Sequence, residues 1–319
     1  MIIQIIVFLI GLGLVVKGAD WLVDGSSSVA RRLGVSDFVI GLTVVGMGTS
    51  APEMVVSFIG AIQGNADIAI GNVIGSNIFN VLLILGITAV ICPMKITGMN
   101  RIKDIPVNIF ITVLLLALGM TRSIFGFGTD TLGRIDGGIF LVLFAIYIYM
   151  SFHYDTDGGS VETADEEQMS MLKSVLFILC GLAGLVAGGQ MFVNSATTIA
   201  KMIGVSDKFI AITILAGGTS MPELATCIVA AAKKKGQLAL GNILGSNVFN
   251  VLLILGGSAL IHPLSFAAIN FVDAGMLLLS ALAIGISIYT FKKNELDRAD
   301  GIFLLLLEAG YMTWLIIQK

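Results

Sequence analysis

The sequence predicts an all-α integral membrane protein: ten transmembrane helices arranged as two five-helix repeats of inverted topology. Three observations lead there. Charges are too few to coat a soluble fold, ten apolar segments have spanning length, and a duplication encloses an odd number of those segments.

Charged residues make up 12% of the 319 and hydrophobic residues 56%, where soluble domains carry about 25% charged. Lipid must therefore replace water over much of the surface. A formal net charge of -3 argues against nucleic acid as a partner, because such domains carry clustered positive charge. The only histidines, His153 and His262, fall in expected loops, which excludes a histidine-based metalloenzyme. Cys92, Cys180 and Cys227 match no disulfide or zinc spacing and read as buried or idle thiols.

A spanning helix takes about 20 mostly apolar residues. Segments 2–30, 37–60, 67–91, 104–121, 134–152, 171–200, 207–231, 237–261, 267–291 and 299–318 qualify. The first opens MIIQIIVFLIGLGLVV, with no basic leader and no small-residue cleavage site, and is expected to span rather than be removed. The acidic, polar stretch from Asp155 to Gln168 cannot bury apolar area and reads as a linker. The expected organisation is a first half over 1–152, a linker over 153–170 and a second half over 171–319. Lys and Arg collect on the cytoplasmic side of membrane proteins. Taking the loops alternately, twelve fall on the linker side, among them Arg31, Arg32, Lys95, Arg101, Lys103 and Lys233–Lys235, and five on the other. That predicts a plasma (inner) membrane protein with both termini outside and the linker in the cytoplasm.

The duplication has a constant offset, the one that carries Glu53 to Glu223. GTSAPE (Gly48 to Glu53) returns as GTSMPE (Gly218 to Glu223), GVSD recurs at Gly34 and Gly204, and GNVIGSNIFNVLLILG from Gly71 returns as GNILGSNVFNVLLILG from Gly241. With five spans per copy, the second copy enters the membrane in the opposite sense, a design of secondary transporters whose sites lie at the midplane where the repeats meet.

The repeated residues are polar where a membrane penalises polarity. Pro52 has no N–H, so the Gly48 carbonyl loses its helical partner, and Gly46 and Gly48 weaken the helix further. Broken backbone at membrane depth is tolerated only inside protein or along a wet cavity. The freed carbonyls, the hydroxyls of Thr49 and Ser50 and the Glu53 carboxylate make an oxygen-rich cluster, repeated by Ala216, Gly218, Thr219, Ser220, Pro222 and Glu223. Hard cations want this environment, Ca²⁺ taking about 6–8 oxygens, and Glu53 with Glu223 formally balance one divalent ion. In the second motif, Asn72, Ser76 and Asn80 share a helix face, as do Asn242, Ser246 and Asn250. Ser76, Asn80, Ser246 and Asn250 are assigned as ligands. Asn72, Asn77, Asn242 and Asn247 are assigned to packing or support, and Gly71, Gly75, Gly241 and Gly245 to close helix contact. The paired carboxylates have no accompanying nucleophile, so no enzyme activity and no cofactor are expected.

These motifs resemble the cation/Ca²⁺ exchanger superfamily, whose two alpha repeats carry GTS-x-PE and GN-x-x-GSN-x-x-N signatures, and the compact chain is similar to prokaryotic sodium/calcium exchangers. The resemblance covers essentially the whole chain. It implies an antiporter exchanging Na⁺ for Ca²⁺ by alternating access, with Ca²⁺ on Glu53, Glu223 and the carbonyls of Thr49 and Thr219. It implies Na⁺ sites on Gly46, Thr49, Ser50, Glu53 and Ser76 in one half and on Ala216, Thr219, Ser220, Glu223 and Ser246 in the other, with Asn80 and Asn250 bordering the centre. Asn250, where K⁺-dependent relatives carry Asp, argues against K⁺ co-transport. H⁺/Ca²⁺ exchange on the same carboxylates stays open, since burial raises a carboxylate pKa while a bound cation lowers it. A channel is a more distant alternative, because conduction needs weaker, multi-site binding. The long first and sixth spans, with Gly11, Gly13, Gly181, Gly184, Gly188 and Gly189, are the expected moving pair. Lys17 is expected to pair with Asp20 in span 1, Glu308 to be structural, and Lys233–Lys235 to mark topology, with contact to anionic lipid as the lesser reading.

Overall fold

The computed structural model describes residues 1–154, 169–203, 217–290 and 294–317. Residues 155–168 of the expected linker and Ala216 lie outside them, as does the second GVSD. Among the described residues, ten long or apolar helices follow the predicted order: α1 (Ile2–Leu33), α2 (Asp37–Thr49 and Ala51–Ile62, bent by 49°), α3 (Ala66–Ile91), α4 (Asn100–Gly119), α5 (Arg134–His153), α6 (Met171–Met202), α7 (Met221–Ala232), α8 (Gly236–Ile261), α9 (Phe271–Ser287) and α10 (Arg298–Ile317). Seven are each long and apolar enough to cross a membrane, the bent α2 makes an eighth, and the described parts of α7 and α9 are shorter apolar helices. His153 closes the last turn of α5 instead of lying in a loop.

α8 sits at the centre, 94% buried along its apolar stretch, while α1, α5 and α10 are 22% buried and turn most of their surface to lipid. Glycine decides several approaches. A Cβ on Gly241 or Gly245 of α8 would come within 2.2 Å of the Phe38 or Leu42 carbonyl of α2, so those two carry close helix contact. The partners that the repeat assigns to Gly71 and Gly75 fall in 204–216, outside the described residues. Elsewhere the repeats exchange partners. Gly86 of α3 backs onto Gly301 of α10, and its counterpart Gly256 of α8 backs onto Gly137 of α5.

Two short antiparallel ladders pin opposite faces of the bundle. Met94–Lys95 pairs with Glu295–Leu296 on the face where α5 ends and α6 begins, here called the linker face. Thr131–Leu132 pairs with Leu264–Ser265 on the other. Arg32 donates to the Met169 carbonyl at 3.2 Å, and Gln237 to the Lys95 carbonyl, so the basic residues assigned to one side by alternation share the linker face.

α1 and α6 pack on each other along their lengths, and Val15, Leu22 and Leu185 belong to a second hydrophobic cluster that also takes in Ile40 and Val45 of α2. The seam is glycine. A Cβ on Gly18 would lie 2.8 Å from the Gly181 carbonyl, one on Gly11 2.9 Å from that of Gly188, and one on Gly25 2.7 Å from that of Ser174. Of the expected glycines, Gly11, Gly181, Gly184 and Gly188 face the seam, whereas Gly13 and Gly189 face open space. Gly18 and Gly25 were not anticipated; with Gly11 they recur every second turn, which keeps them on one stripe.

Candidate functional site

Helix α2 breaks at Ser50 (φ -81°, ψ 7°), and Ser220 before α7 has nearly the same backbone (φ -85°, ψ 7°). In each case the proline that follows has no N–H to continue the ladder, and a new helix starts. Glu53 and Glu223 sit in the first turns of those helices, where backbone N–H groups favour a carboxylate. Both are buried to 1% exposure.

The two halves are stitched across their inversion. Ser50 Oγ donates to Glu223 Oε1 at 2.9 Å, and Ser220 Oγ to Glu53 Oε1 at 3.3 Å, so each carboxylate is held by the other half's serine. The hydroxyls of Thr49 and Thr219 add to this, Thr49 beside Glu223 and Thr219 beside Glu53. The asparagines cross in the same way. Asn80 Nδ2 donates to Asn247 Oδ1 at 3.1 Å and Asn250 Nδ2 to Asn77 Oδ1 at 2.9 Å. With both amide N–H groups turned outward, four buried oxygens accept no hydrogen bond among the described residues: Glu53 Oε2, Glu223 Oε2, Asn80 Oδ1 and Asn250 Oδ1. They form two repeat-related pairs of acceptors. Buried acceptors are rarely left bare, since each orphan costs about 1–3 kcal/mol. A hard cation supplies what such a set lacks.

The remaining assigned residues lie around this centre, grouped across the halves rather than within them. Ser246 Oγ donates to the Gly46 carbonyl at 3.4 Å, and Ser76 Oγ lies 3.4 Å from Ser220 Oγ. Thr49 Oγ1 lies 3.2 Å from Asn242 Oδ1. The asparagines assigned to support do support. Asn72 donates to the Glu53 carbonyl at 3.1 Å and to Ser57 Oγ at 3.0 Å, while its counterpart Asn242 donates to Cys227, the residue that replaces Ser57 in the repeat. Cys227 is thus buried and engaged, and Cys180 is exposed.

Two features went unread in the sequence. Asn80 and Asn250 each lie in a π-helical stretch, Asn80–Leu85 and Phe249–Leu255, a widening of the helix found often at functional sites. Lys233 binds Asp20 at 2.5 Å and Asp24 at 2.6 Å, tying α1 to the end of α7, while the expected Lys17–Asp20 pair forms at 2.6 Å. Asn77 and Asn247 had a signal, their identity at repeat-related positions. Glu308, assigned a structural role, is buried in α10 with Oε2 unpartnered among the described residues.

A cavity of about 390 Å³ approaches the site between Pro52, Gly218 and Thr219 on one side and the second half of α6 on the other, Gln190 and Asn194 included. It lies toward the face opposite the linker.

Ten spans in inverted halves, closed around a buried set of acceptor oxygens, define a transporter of cations and not an enzyme. The family described as sodium/calcium exchanger protein matches residues 3–153 and 173–317. The chain is 36% identical over 320 residues to the putative antiporter CaxA of Alkalimonas amylolytica, covering 98% of both. It is 32% identical to the sodium/calcium exchanger MaX1 of Methanosarcina acetivorans, covering 97% of both. Its fold superposes on the sodium–calcium exchanger NCX_Mj, soaked with Na⁺ and Sr²⁺, with a TM-score of 0.82 at 33% identity and 96% coverage of each chain. The chain belongs to the sodium/calcium exchanger family and is a multi-pass cation antiporter.

Proposed function

We propose that this antiporter exchanges Na⁺ for Ca²⁺ by alternating access, the two ions competing for one site built on Glu53 and Glu223. The observation that carries the reading is the set of four orphaned oxygens on Glu53, Glu223, Asn80 and Asn250. Two are carboxylate oxygens and two are neutral, a donor set that balances one divalent ion without surplus charge. Ca²⁺ takes the two glutamates with the carbonyls of Thr49 and Thr219, and Asn80 and Asn250 border it. Na⁺ takes the flanking oxygens of Gly46, Ser50 and Ser76 and of Ala216, Ser220 and Ser246. Full occupancy by both ions would crowd positive charge around the same carboxylates, so one set leaves as the other binds. The similarity to NCX_Mj and MaX1, each named as a sodium/calcium exchanger, supports the ion pair.

Residues 1–152 and 171–319 act as the two halves, with 153–170 as a cytoplasmic linker. The lysine bias toward the linker face supports a cytoplasmic position for that face with both termini outside, an orientation in which the cavity at Thr219 opens outward. The glycine seam of α1 and α6 supports this pair as the element that moves.

The test is Ca²⁺ uptake into sealed vesicles preloaded with Na⁺, beside vesicles preloaded with acid and no Na⁺, with Glu53→Gln plus Glu223→Gln as background. The expected result is uptake that needs the outward Na⁺ gradient and vanishes in the variant. Uptake driven by acid alone would replace the reading with H⁺/Ca²⁺ exchange, and uptake in neither would remove Ca²⁺ as cargo.

A further inference from the structure

The cavity at Thr219 has a counterpart that the duplication writes and this conformation keeps shut. Pro52, Val56, Gly189, Gln190, Val193 and Asn194 line the open cavity. Their repeat-related residues are Pro222, Thr226, Ala19, Asp20, Val23 and Asp24, which bring α7 and α1 together toward the linker face. Gln190 and Asn194 are exposed, whereas Ala19, Val23 and Thr226 are 0% exposed. In inverted repeats that open by turns, this buried seam is the linker-face route to Glu223.

The two routes differ in charge, with amides on one and carboxylates on the other. The oxygens of the acidic route already converge on a positive centre. Lys233 Nζ lies 2.5 Å from Asp20 Oδ1, 2.6 Å from Asp24 Oδ1 and 3.5 Å from the Asp20 carbonyl. Two carboxylate oxygens at those distances from one charge are spaced as Ca²⁺ takes them, at about 2.3–2.6 Å. The side chains of Asp20 and Asp24 are 29% and 37% exposed, so water reaches the position. Lys17 also holds Asp20, at 2.6 Å, but its side chain is 57% exposed, and an exposed pair is weak.

Hydroxyls continue the route. Ser27 lies two turns beyond Asp20 on the stripe of α1 that carries Asp24, and Thr226 lies two turns before Lys233 on α7. Because Lys233 meets both aspartates, these stripes face each other. Ser27 and Thr226 are fully buried, and among the described residues neither hydroxyl has a hydrogen-bond partner. Packing gives no reason for two bare hydroxyls in such a seam; a path for a cation and its water does.

We propose that Asp20 and Asp24 form a cation entry site on the linker-face route to Glu223. The Lys233 ammonium is its tethered occupant while that face is shut, and the transported ion takes its place when the face opens. The site depends on alternating access as argued above and is indifferent to which cations are exchanged.

Thiol labelling tests it. Thr226→Cys is placed in a chain carrying Cys92→Ser, Cys180→Ser and Cys227→Ser. Sealed vesicles in the act of exchange are treated from the linker face with a cationic or an anionic methanethiosulfonate, each rate being divided by that for a free thiol. Lys233→Gln alone removes the tie and keeps both carboxylates. Lys233→Gln with Asp20→Gln and Asp24→Asn copies the neutral residues of the other half. Val56→Cys, treated from the opposite face, supplies the ratio of a neutral route. With Lys233→Gln the cationic reagent is expected to lead by about tenfold, and the lead is expected to fall to the Val56→Cys ratio once both carboxylates are gone. Ser27→Cys takes the place of Thr226→Cys if the latter lowers the melting temperature. Labelling at a ratio that ignores both carboxylates overturns the entry site alone. No labelling of either cysteine from the linker face overturns the route, and alternating access beside α1 with it.

Discussion

A carboxylate held through one oxygen and bare at the other is oriented without being neutralised. Ser50 and Ser220 do the holding, and Asn77 and Asn247 do the same for the amides of Asn250 and Asn80. Removing a holder should therefore harm binding without touching a ligand. Asn247→Ala takes the acceptor from Asn80 Nδ2, which is expected to lower stability by about 1–3 kcal/mol and Ca²⁺ affinity by about 10–100-fold, as supporting residues of metal sites do. Melting curves and Ca²⁺ titration read the two effects, and unchanged affinity would mean that Asn80 takes no part in the site. Cys227→Ser makes the opposite check. Asn242 would then donate to a hydroxyl, as Asn72 already does to Ser57, so transport and melting are expected to stay as they were. The carboxylates, hydroxyls and amides assigned to the site stood out because the duplication writes them twice in apolar surroundings. Which hydroxyl meets which carboxylate was not. The crossing of Ser50 to Glu223 depends on how an inverted copy docks, and nothing local to GTSAPE encodes that.

The elements differ in how far the sequence carried them. Ten spans and the broken α2 follow from apolar length and from a proline after two glycines, causes that act locally. The π-helical stretches at Asn80 and Asn250 fall in the segment FNVLLILG that both repeats share, but apolar length and helical spacing do not reveal them. The tie between α1 and α7 is non-local. Asp20 and Asp24 stood out as charges in a span, but their partner Lys233 lies at the far end of another repeat. Burial alone would lower the Lys233 pKa; hydrogen bonds to Asp20 and Asp24 outweigh it, so the pKa is raised and the lysine stays charged. The corresponding residues of the other half are Gln190, Asn194 and Gln63, which cannot form such a tie, and Gln190 and Asn194 line the open cavity. If α1 and α6 move against the bundle, the tie must break as the linker face opens. Lys233→Gln, which copies the repeat-related residue, is then expected to speed exchange at saturating Ca²⁺ while leaving Ca²⁺ affinity unchanged. Rates equal to the unmodified protein would show that α1 and α7 do not separate during transport. Gly18→Val tests the seam itself. Its side chain would meet the α6 backbone, and transport is expected to fall while purified protein still binds Ca²⁺.

At the scale of the molecule, the site exists only when both halves are docked, because each carboxylate takes its serine from the other half. Cargo and assembly are therefore linked. An ion that fills the four bare oxygens relieves repulsion between Glu53 and Glu223 and binds the docked state alone, so it must stabilise the fold by mass action. At a Ca²⁺ concentration one hundred times its dissociation constant the gain is about 2.7 kcal/mol, read as a rise in melting temperature of the detergent-purified protein. Na⁺ added at fixed Ca²⁺ would first subtract from that gain by competition and, when it saturates the flanking oxygens, replace it with its own. Mg²⁺ is the control, since it demands short octahedral contacts and keeps its waters, which a dry cluster of carboxylates and amides does not accommodate. Glu53→Gln with Glu223→Gln should lose the Ca²⁺ response altogether and melt higher than the ion-free protein, because two uncompensated buried charges are gone. A variant that melts lower would mean that the carboxylates already hold protons when empty, and the competition argued between Na⁺ and Ca²⁺ would have to include H⁺ as a third occupant.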